Sequence, residues 1–239
     1  MNRSRSASAY WLGRVPYRHA WDLQRRIVEE VRSGARGDTL LLLEHPPVFT
    51  LGRQGSLDHV LWDEIERERR GIDLVWCDRG GDVTHHAPGQ LVGYPILDLS
   101  RHGSDVVAFV RRLEASIIAY LAALDIEAGA EAGYTGVWSG GAKVAAIGIR
   151  LSGGVVSHGL ALNLDPDLDG FTGIVPCGIA GRPVTSVARL RGVAPTVAEA
   201  AAAYARHFAS EFDCEVETAP AAGLPWPMLL EGIAVEVAP

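Results

Sequence analysis

The chain has 239 residues, 48% of them hydrophobic and 21% charged, which suffices for one large domain with a full core. A net charge of −7, with no basic cluster interleaved with aromatics, argues against a general nucleic-acid binder. No apolar run nears the roughly 20 residues a membrane helix needs, so no membrane partner is expected.

The opening MNRSRSASAYW is basic and serine-rich without an apolar h-region, so it does not read as a secretory signal, and residues 1–9 are expected to form a disordered arm. Ala20, Leu23, Ile27 and Val31 recur at helical spacing and predict a helix over 17–33, closed by Gly34. TLLLLEH (39–45) is a continuous apolar run and predicts a buried strand, followed by a second strand, VFTLG, after Pro46-Pro47. A short charged helix, DEIERERR, ends at Gly71, and LVWCD (74–78) and LVGYPILDL (91–99) read as further strands.

The longest helix is expected over 105–124, where Phe109, Leu113, Ile117, Tyr120 and Leu124 belong to one apolar stripe. TGVW (135–138), KVAAIGI (143–149) and VVSHGLALNL (155–164) then read as strands, and an Asp-, Pro- and Gly-rich loop spans 165–183. Thr196 and Glu199 have capping-box spacing for a last helix reaching about 212, before a strand CEVE. Helices and strands mix without regular βαβ alternation, which favours an α+β domain with a mixed or antiparallel sheet. The expected organisation is one domain over 10–218, with 219–239 as a tail packed on it or trailing from it.

Three stretches can carry chemistry. DRGGDVTHHAPGQLVGYP (78–95) has a Gly80-Gly81 turn that can present N–H groups to a ligand, but it is neither GxGxxG nor a P-loop. Adjacent His85 and His86, if extended, point to opposite faces and can hardly ligate one ion. No CxxC or HExxH occurs, so no metal is expected. One histidine in a ligand-binding wall and a purely structural turn both remain open readings.

In GIVPCGIAGRPVTSV (173–187), Cys177 lies between Pro176 and Gly178, which suits a loop nucleophile with room for a substrate and equally suits a buried small hydrophobe. Cys77 and Cys214 sit in strand patterns, and three well-separated cysteines fit a reducing, cytoplasmic compartment. SHGLALNLD (157–165) reads as a core strand in which His158 is hydrogen-bonded, or as a pocket wall. Lys143 is the single lysine among 22 lysines and arginines. Arginine bias explains it by chance. Chemically, lysine can surrender a proton and arginine cannot.

Together these blocks resemble the lipoyl(octanoyl) transferase family, whose pattern is close to R-G-G-x-x-T-x-H-x-P-G-Q, G-x-K, H-G-L-A-L-N and P-C-G, in that order. Arg79, Gly80, Gly81, Thr84, His86, Pro88, Gly89 and Gln90 match the first block, Lys143 the second, His158 to Asn163 the third, and Pro176-Cys177-Gly178 the fourth. Ala87 stands where the family commonly has glycine.

The resemblance implies a biotin/lipoate protein ligase-like fold, a mixed sheet flanked by helices. It implies transfer of octanoyl from octanoyl-acyl carrier protein to a lysine of lipoyl domains in 2-oxoacid dehydrogenases and of the glycine-cleavage H protein. The route is a cysteine acyl-thioester, with no cofactor and a monomeric enzyme expected. Cys177 and Lys143 would form the catalytic dyad. The substrate walls would be Arg79, Gly80, Gly81, Asp82, Val83, Thr84, His85 and His86, with Ala146, Ile147, Gly148, Gly159, Leu160 and Ala161. The ammonium would favour the thiolate of a cysteine that otherwise titrates near ~8.5, and neutral lysine would later take the acceptor's proton. An ATP-dependent lipoate protein ligase, a cysteine thioesterase or amidase, and a non-enzymatic acyl-binding module are the alternatives. The carrier is acidic, so Arg14 with Arg18, or Arg189 with Arg191, are candidate docking arginines.

Overall fold

The helix over Tyr17–Ser33 (α1) is the sequence reading realised to the residue. Its stripe of Ala20, Leu23, Ile27 and Val31 is buried, and Gly34 closes it in the left-handed region with φ 77°. A computed structural model describes residues 5–176, 182–219 and 221–225. Ahead of α1, Arg5–Arg14 form a strand (β1). Residues 5–9, expected in a disordered arm, are its first half. They are ordered by pairing in parallel with a neighbouring strand on each side, a long-range gain that no local pattern in RSASA announces.

The remaining strands are β2 (Asp38–Glu44), β3 (Val48–Leu51), β4 (Asp73–Trp76), β5 (Val83–His86), β6 (Gln90–Asp98), β7 (Gly129–Glu131), β8 (Tyr134–Ser139), β9 (Ala142–Ser152), β10 (Val155–Asn163) and β11 (Cys214–Thr218). The helices after α1 are α2 (Glu64–Arg69), α3 (Val106–Ala122), α4 (Val187–Arg191) and α5 (Val197–Glu211). The predicted strands and longer helices stand within a few residues of their expected limits. The strands β5 and β7 and the short helix α4 were not anticipated, since each is too short to display a period.

One eight-stranded sheet runs in the order β11-β1-β2-β6-β10-β9-β8-β7, parallel across β11, β1 and β2 and antiparallel beyond. A three-stranded sheet, β4-β3-β5, lies apart from it. The architecture is thus α+β with a mixed sheet. Helices cover both faces of the large sheet, which explains the unbroken apolar run of β2. Leu40 and Leu42 pack with α3 and α5, while Leu41 and Leu43 pack with α1. Thr196 and Glu199 form the predicted capping box of α5. Ala219 donates its N–H to the Ala9 carbonyl at 2.9 Å, and Ala221 and Leu224 pack into the α1-side core.

Candidate active site

A cavity with about 480 Å³ of atom-free space, partly open to solvent, lies where the small sheet meets β6, β9 and β10. Arg79, Gly80 and Gly81 in the turn, Asp82 and then Val83, Thr84 and His86 of β5 form one wall. Ala146, Ile147 and Gly148 of β9, and Gly159, Leu160 and Ala161 of β10, form the other. The fold therefore gathers every expected wall residue except His85. Strand alternation sends His85 to the opposite face of β5, edge-on to Phe49 and Phe171, with each pair of ring centroids 5.3 Å apart.

Close approach explains the wall glycines. A Cβ on Gly159 would lie 2.2 Å from the Gly93 carbonyl, and one on Gly148 would lie 2.8 Å from the Gly80 carbonyl. The turn is pinned to β9 by the Gly80 N–H donating to the Ile149 carbonyl at 2.8 Å. Tyr17, Tyr94 and His158 also line the cavity. The two tyrosines sit in segments that read as core, and nothing local in the sequence sets them apart.

His158 has φ 55°, in the left-handed region, although it sits inside β10. This is a costly conformation for a residue with a side chain. Its N–H donates to Gln24 Oε1 at 2.8 Å, and its ring Nε2 meets Asp78 Oδ1 at 2.7 Å. Asp78 also accepts from Trp21 Nε1 and pairs with Arg150. Burial first, then the Arg79 and Arg150 guanidinium groups, lower the His158 pKa to about 3. His158 is therefore neutral, with Nε2–H donating to Asp78.

A second polar cluster backs the cavity. Burial holds His45 down at about 4. Its Nδ1–H donates to the Val15 carbonyl at 2.6 Å, and its Nε2 accepts from the Tyr94 hydroxyl at 2.7 Å. His86 is likewise neutral, lowered by burial and then by His45.

Arg79 is buried, and its Nη2 donates to the Thr50 carbonyl at 2.6 Å and to Thr50 Oγ1 at 2.9 Å. Among the described residues no group of three or more His, Cys, Asp or Glu is placed to hold a metal ion. No helix there is long and apolar enough to cross a membrane.

Lys143 is buried in β9 and opens onto a groove it shares with Gly80, Gly81, Asp82, Ile147 and Gly148, five of the cavity residues. Its Nζ lies 4.8 Å from the Trp138 ring centroid. Its main chain is fixed on both sides, donating to the Pro183 carbonyl and accepting from the Thr185 N–H, each at 2.9 Å. Cys177 lies outside the described residues. Ahead of it, Val175 donates to the His59 carbonyl at 2.8 Å. Of the other cysteines, Cys77 is buried with its thiol donating to the Leu51 carbonyl, and Cys214 is half-buried in β11.

The model of the lipoyl protein ligase A/B catalytic domain matches residues 16–209. An octanoyltransferase of Chloroflexus aurantiacus is 54% identical over 200 residues, 82% of this chain and 90% of that protein. Among solved structures, a lipoate-protein ligase A bound with ATP superposes with a TM-score of 0.74 at 18% identity, over 90% of this chain and 89% of that one. A bipartite lipoate protein ligase from Thermoplasma acidophilum, described together with its E2 lipoyl domain, superposes with a TM-score of 0.72 at 16% identity, over 90% and 87% of the two chains. At such identities the two structures speak for the fold alone.

Proposed function

Since the chain belongs to the lipoyl protein ligase A/B catalytic-domain family and is an octanoyltransferase, we propose that it moves octanoyl from octanoyl-acyl carrier protein to a lysine of lipoyl domains through a thioester on Cys177. Lipoyl domains of 2-oxoacid dehydrogenases and the glycine-cleavage H protein are the acceptors. The observation that carries the reading is that the cavity and the lysine groove are adjacent. The cavity walled by residues 79–84, 146–148 and 159–161 shares its Gly80–Asp82 and Ile147–Gly148 rim with the groove holding Lys143.

Apolar atoms of Val83, Ile147, Leu160 and Ala161 suit an alkyl chain, each buried methylene of which is worth ~0.8 kcal/mol. Lys143 N–H and C=O pair with Pro183 and Thr185, a few residues after Cys177 in the chain, which supports a lysine placed to serve Cys177. A lipoyl domain is also the partner with which the Thermoplasma acidophilum neighbour is described. Exposed Arg189 and Arg191 of α4, just beyond Thr185, suit an acidic carrier. The setting is the cytoplasm.

The resting pair is a Cys177 thiolate beside the Lys143 ammonium. In the first step the thiolate attacks the donor carbonyl, and the tetrahedral intermediate expels the carrier thiolate, which takes a proton from Lys143 and leaves it neutral. In the second step a neutral acceptor amine attacks the Cys177 thioester. Lys143 accepts its proton, and the Cys177 thiolate leaves, which restores the starting pair. No nucleotide is consumed because the donor is already a thioester. The test is incubation with octanoyl-acyl carrier protein and no ATP. Mass spectrometry should find octanoyl on Cys177 and then on a lipoyl domain, and Cys177→Ser should do neither. Full transfer by Cys177→Ser, or transfer only with ATP, would sink the reading.

A further inference from the structure

Two residues at the ends of sequence motifs, Gln90 and Asn163, line neither the cavity nor the lysine groove. Both are almost fully buried, and they touch each other across 73 positions of sequence. Asn163 Nδ2 donates to the Thr185 carbonyl at 3.0 Å, so its Oδ1 is the acceptor for Gln90 Nε2 at 2.9 Å. Gln90 Nε2 also donates to the His85 carbonyl at 3.2 Å. Gln90 Oε1 must then accept from His86 Nδ1–H at 2.7 Å. With that proton on Nδ1, His86 Nε2 can only accept, and the Thr50 hydroxyl faces it at 3.5 Å. Thr50 Oγ1 in turn accepts from Arg79 Nη2 at 2.9 Å. From Arg79 through Thr50, His86, Gln90 and Asn163 to the Thr185 carbonyl each link donates in the same direction, with side branches to the Thr50 and His85 carbonyls. The N–H of Thr185 donates to the Lys143 carbonyl at 2.9 Å.

We propose that Gln90 and Asn163 are positioning residues, whose paired amides lock the cavity wall at Arg79 and His86 to the Pro183–Thr185 segment that holds the main chain of Lys143. The inference rests on the catalytic reading of Lys143 and Cys177 given above. The wall at Arg79 and His86 is carried by the turn and β5, whereas the lysine is carried by β9, which also supplies Ala146, Ile147 and Gly148 of the facing wall. A chain of side-chain amides spans the gap with fixed direction. An apolar pair of the same volume would fill the space without setting the distance.

Asn163→Asp is the informative change, because it conserves shape. Ionised aspartate has no proton to give the Thr185 carbonyl, whereas protonated aspartate has one. The measurement is transfer of octanoyl from octanoyl-acyl carrier protein to a lipoyl domain across pH 5.5–8.5. The fold is checked by near-ultraviolet circular dichroism, and Cys177→Ser serves as the parallel control. The expected result is a kcat lower by roughly tenfold near neutral pH, the factor carried by about one buried hydrogen bond, with the donor KM within about twofold of the parent.

The ratio of variant to parent kcat should rise as pH falls, because protonation of the new carboxyl restores the donor. A role in packing alone moves neither that ratio nor the kcat–KM split. Gln90→Glu removes the other donor, keeps the acceptor for His86, and answers the same question should Asn163→Asp fail to fold. Parent-like kcat at every pH in folded variants, or a loss confined to KM, would overturn the proposal while inactive Cys177→Ser leaves the catalytic reading standing. Full turnover by Cys177→Ser would overturn both.

Discussion

Replacing Lys143 by arginine separates the two tasks assigned to it. The site can receive the larger cation: the lysine is 8% exposed and its Nζ lies 4.8 Å from the Trp138 ring, a surface on which guanidinium stacks well. The Arg182 guanidinium already lies 5.2 Å from the same ring centroid. Positive charge is retained, so the first step should survive in large part. Its electrostatic share can be sized from the thiol alone. A cysteine titrating near ~8.5 is about 3% ionised at pH 7, so full ionisation by a neighbouring cation is worth at most roughly 30-fold. Arginine should keep most of that, and Lys143→Met should lose it.

The second step needs a base, which arginine cannot be, and removal of a general base costs about 10²–10⁴-fold. In a quenched-flow experiment with octanoyl-acyl carrier protein followed by a lipoyl domain, Lys143→Arg should form octanoyl-Cys177 within about tenfold of the parent rate. It should then accumulate it, with transfer slowed by at least ~10²-fold. Turnover equal to the parent's would refute the reasoning, as would acylation and transfer falling by the same factor.

Gly159→Ala should destabilise by roughly 1–3 kcal/mol in urea unfolding, as overpacking does. Its Cβ would lie 2.2 Å from the Gly93 carbonyl and 2.6 Å from Pro95 Cδ, so β10 and β6 must part. An unchanged midpoint would contradict the close approach. His45 titrates at about 4 in the fold against an ordinary 6.5, so the unfolded chain binds the proton first as pH drops. Its contribution is complete above pH ~6.5, is lost as pH falls toward ~4, and amounts to about 3 kcal/mol. Urea midpoints should therefore decline from pH 7 to 4.5. His45→Gln should flatten that decline by about one proton's worth, and an identical slope in parent and variant would remove His45 from the account.

The amino-acid sequence by itself determined the elements whose causes are local. The limits of α1 follow from its apolar spacing and Gly34, and the start of α5 from Thr196 and Glu199, because one turn of helix contains the whole signal. The continuous apolar run of β2 announced burial on both faces. Most of the candidate wall was legible through ordered motifs. Period-two alternation separated His85 from His86, but only the fold decided which of them faces the cavity.

The rest was settled by contacts distant in sequence. Residues 5–9 become strand because β2 and β11 bond to them, not because RSASA prefers it. Lys143 is held by Pro183 and Thr185, and Gln90 by Asn163, pairings that exist only once β6, β9 and β10 lie side by side. The strained backbone of His158 had no mark in the sequence. It is sustained by Gln24 from α1 and by Asp78 from beyond β4, which are brought to it by burial of apolar surface elsewhere. Local chemistry chose the longer helices and the apolar strands. The hydrogen bonds and close approaches that shape the site are pairwise terms between remote segments, and they take effect only after the core has assembled.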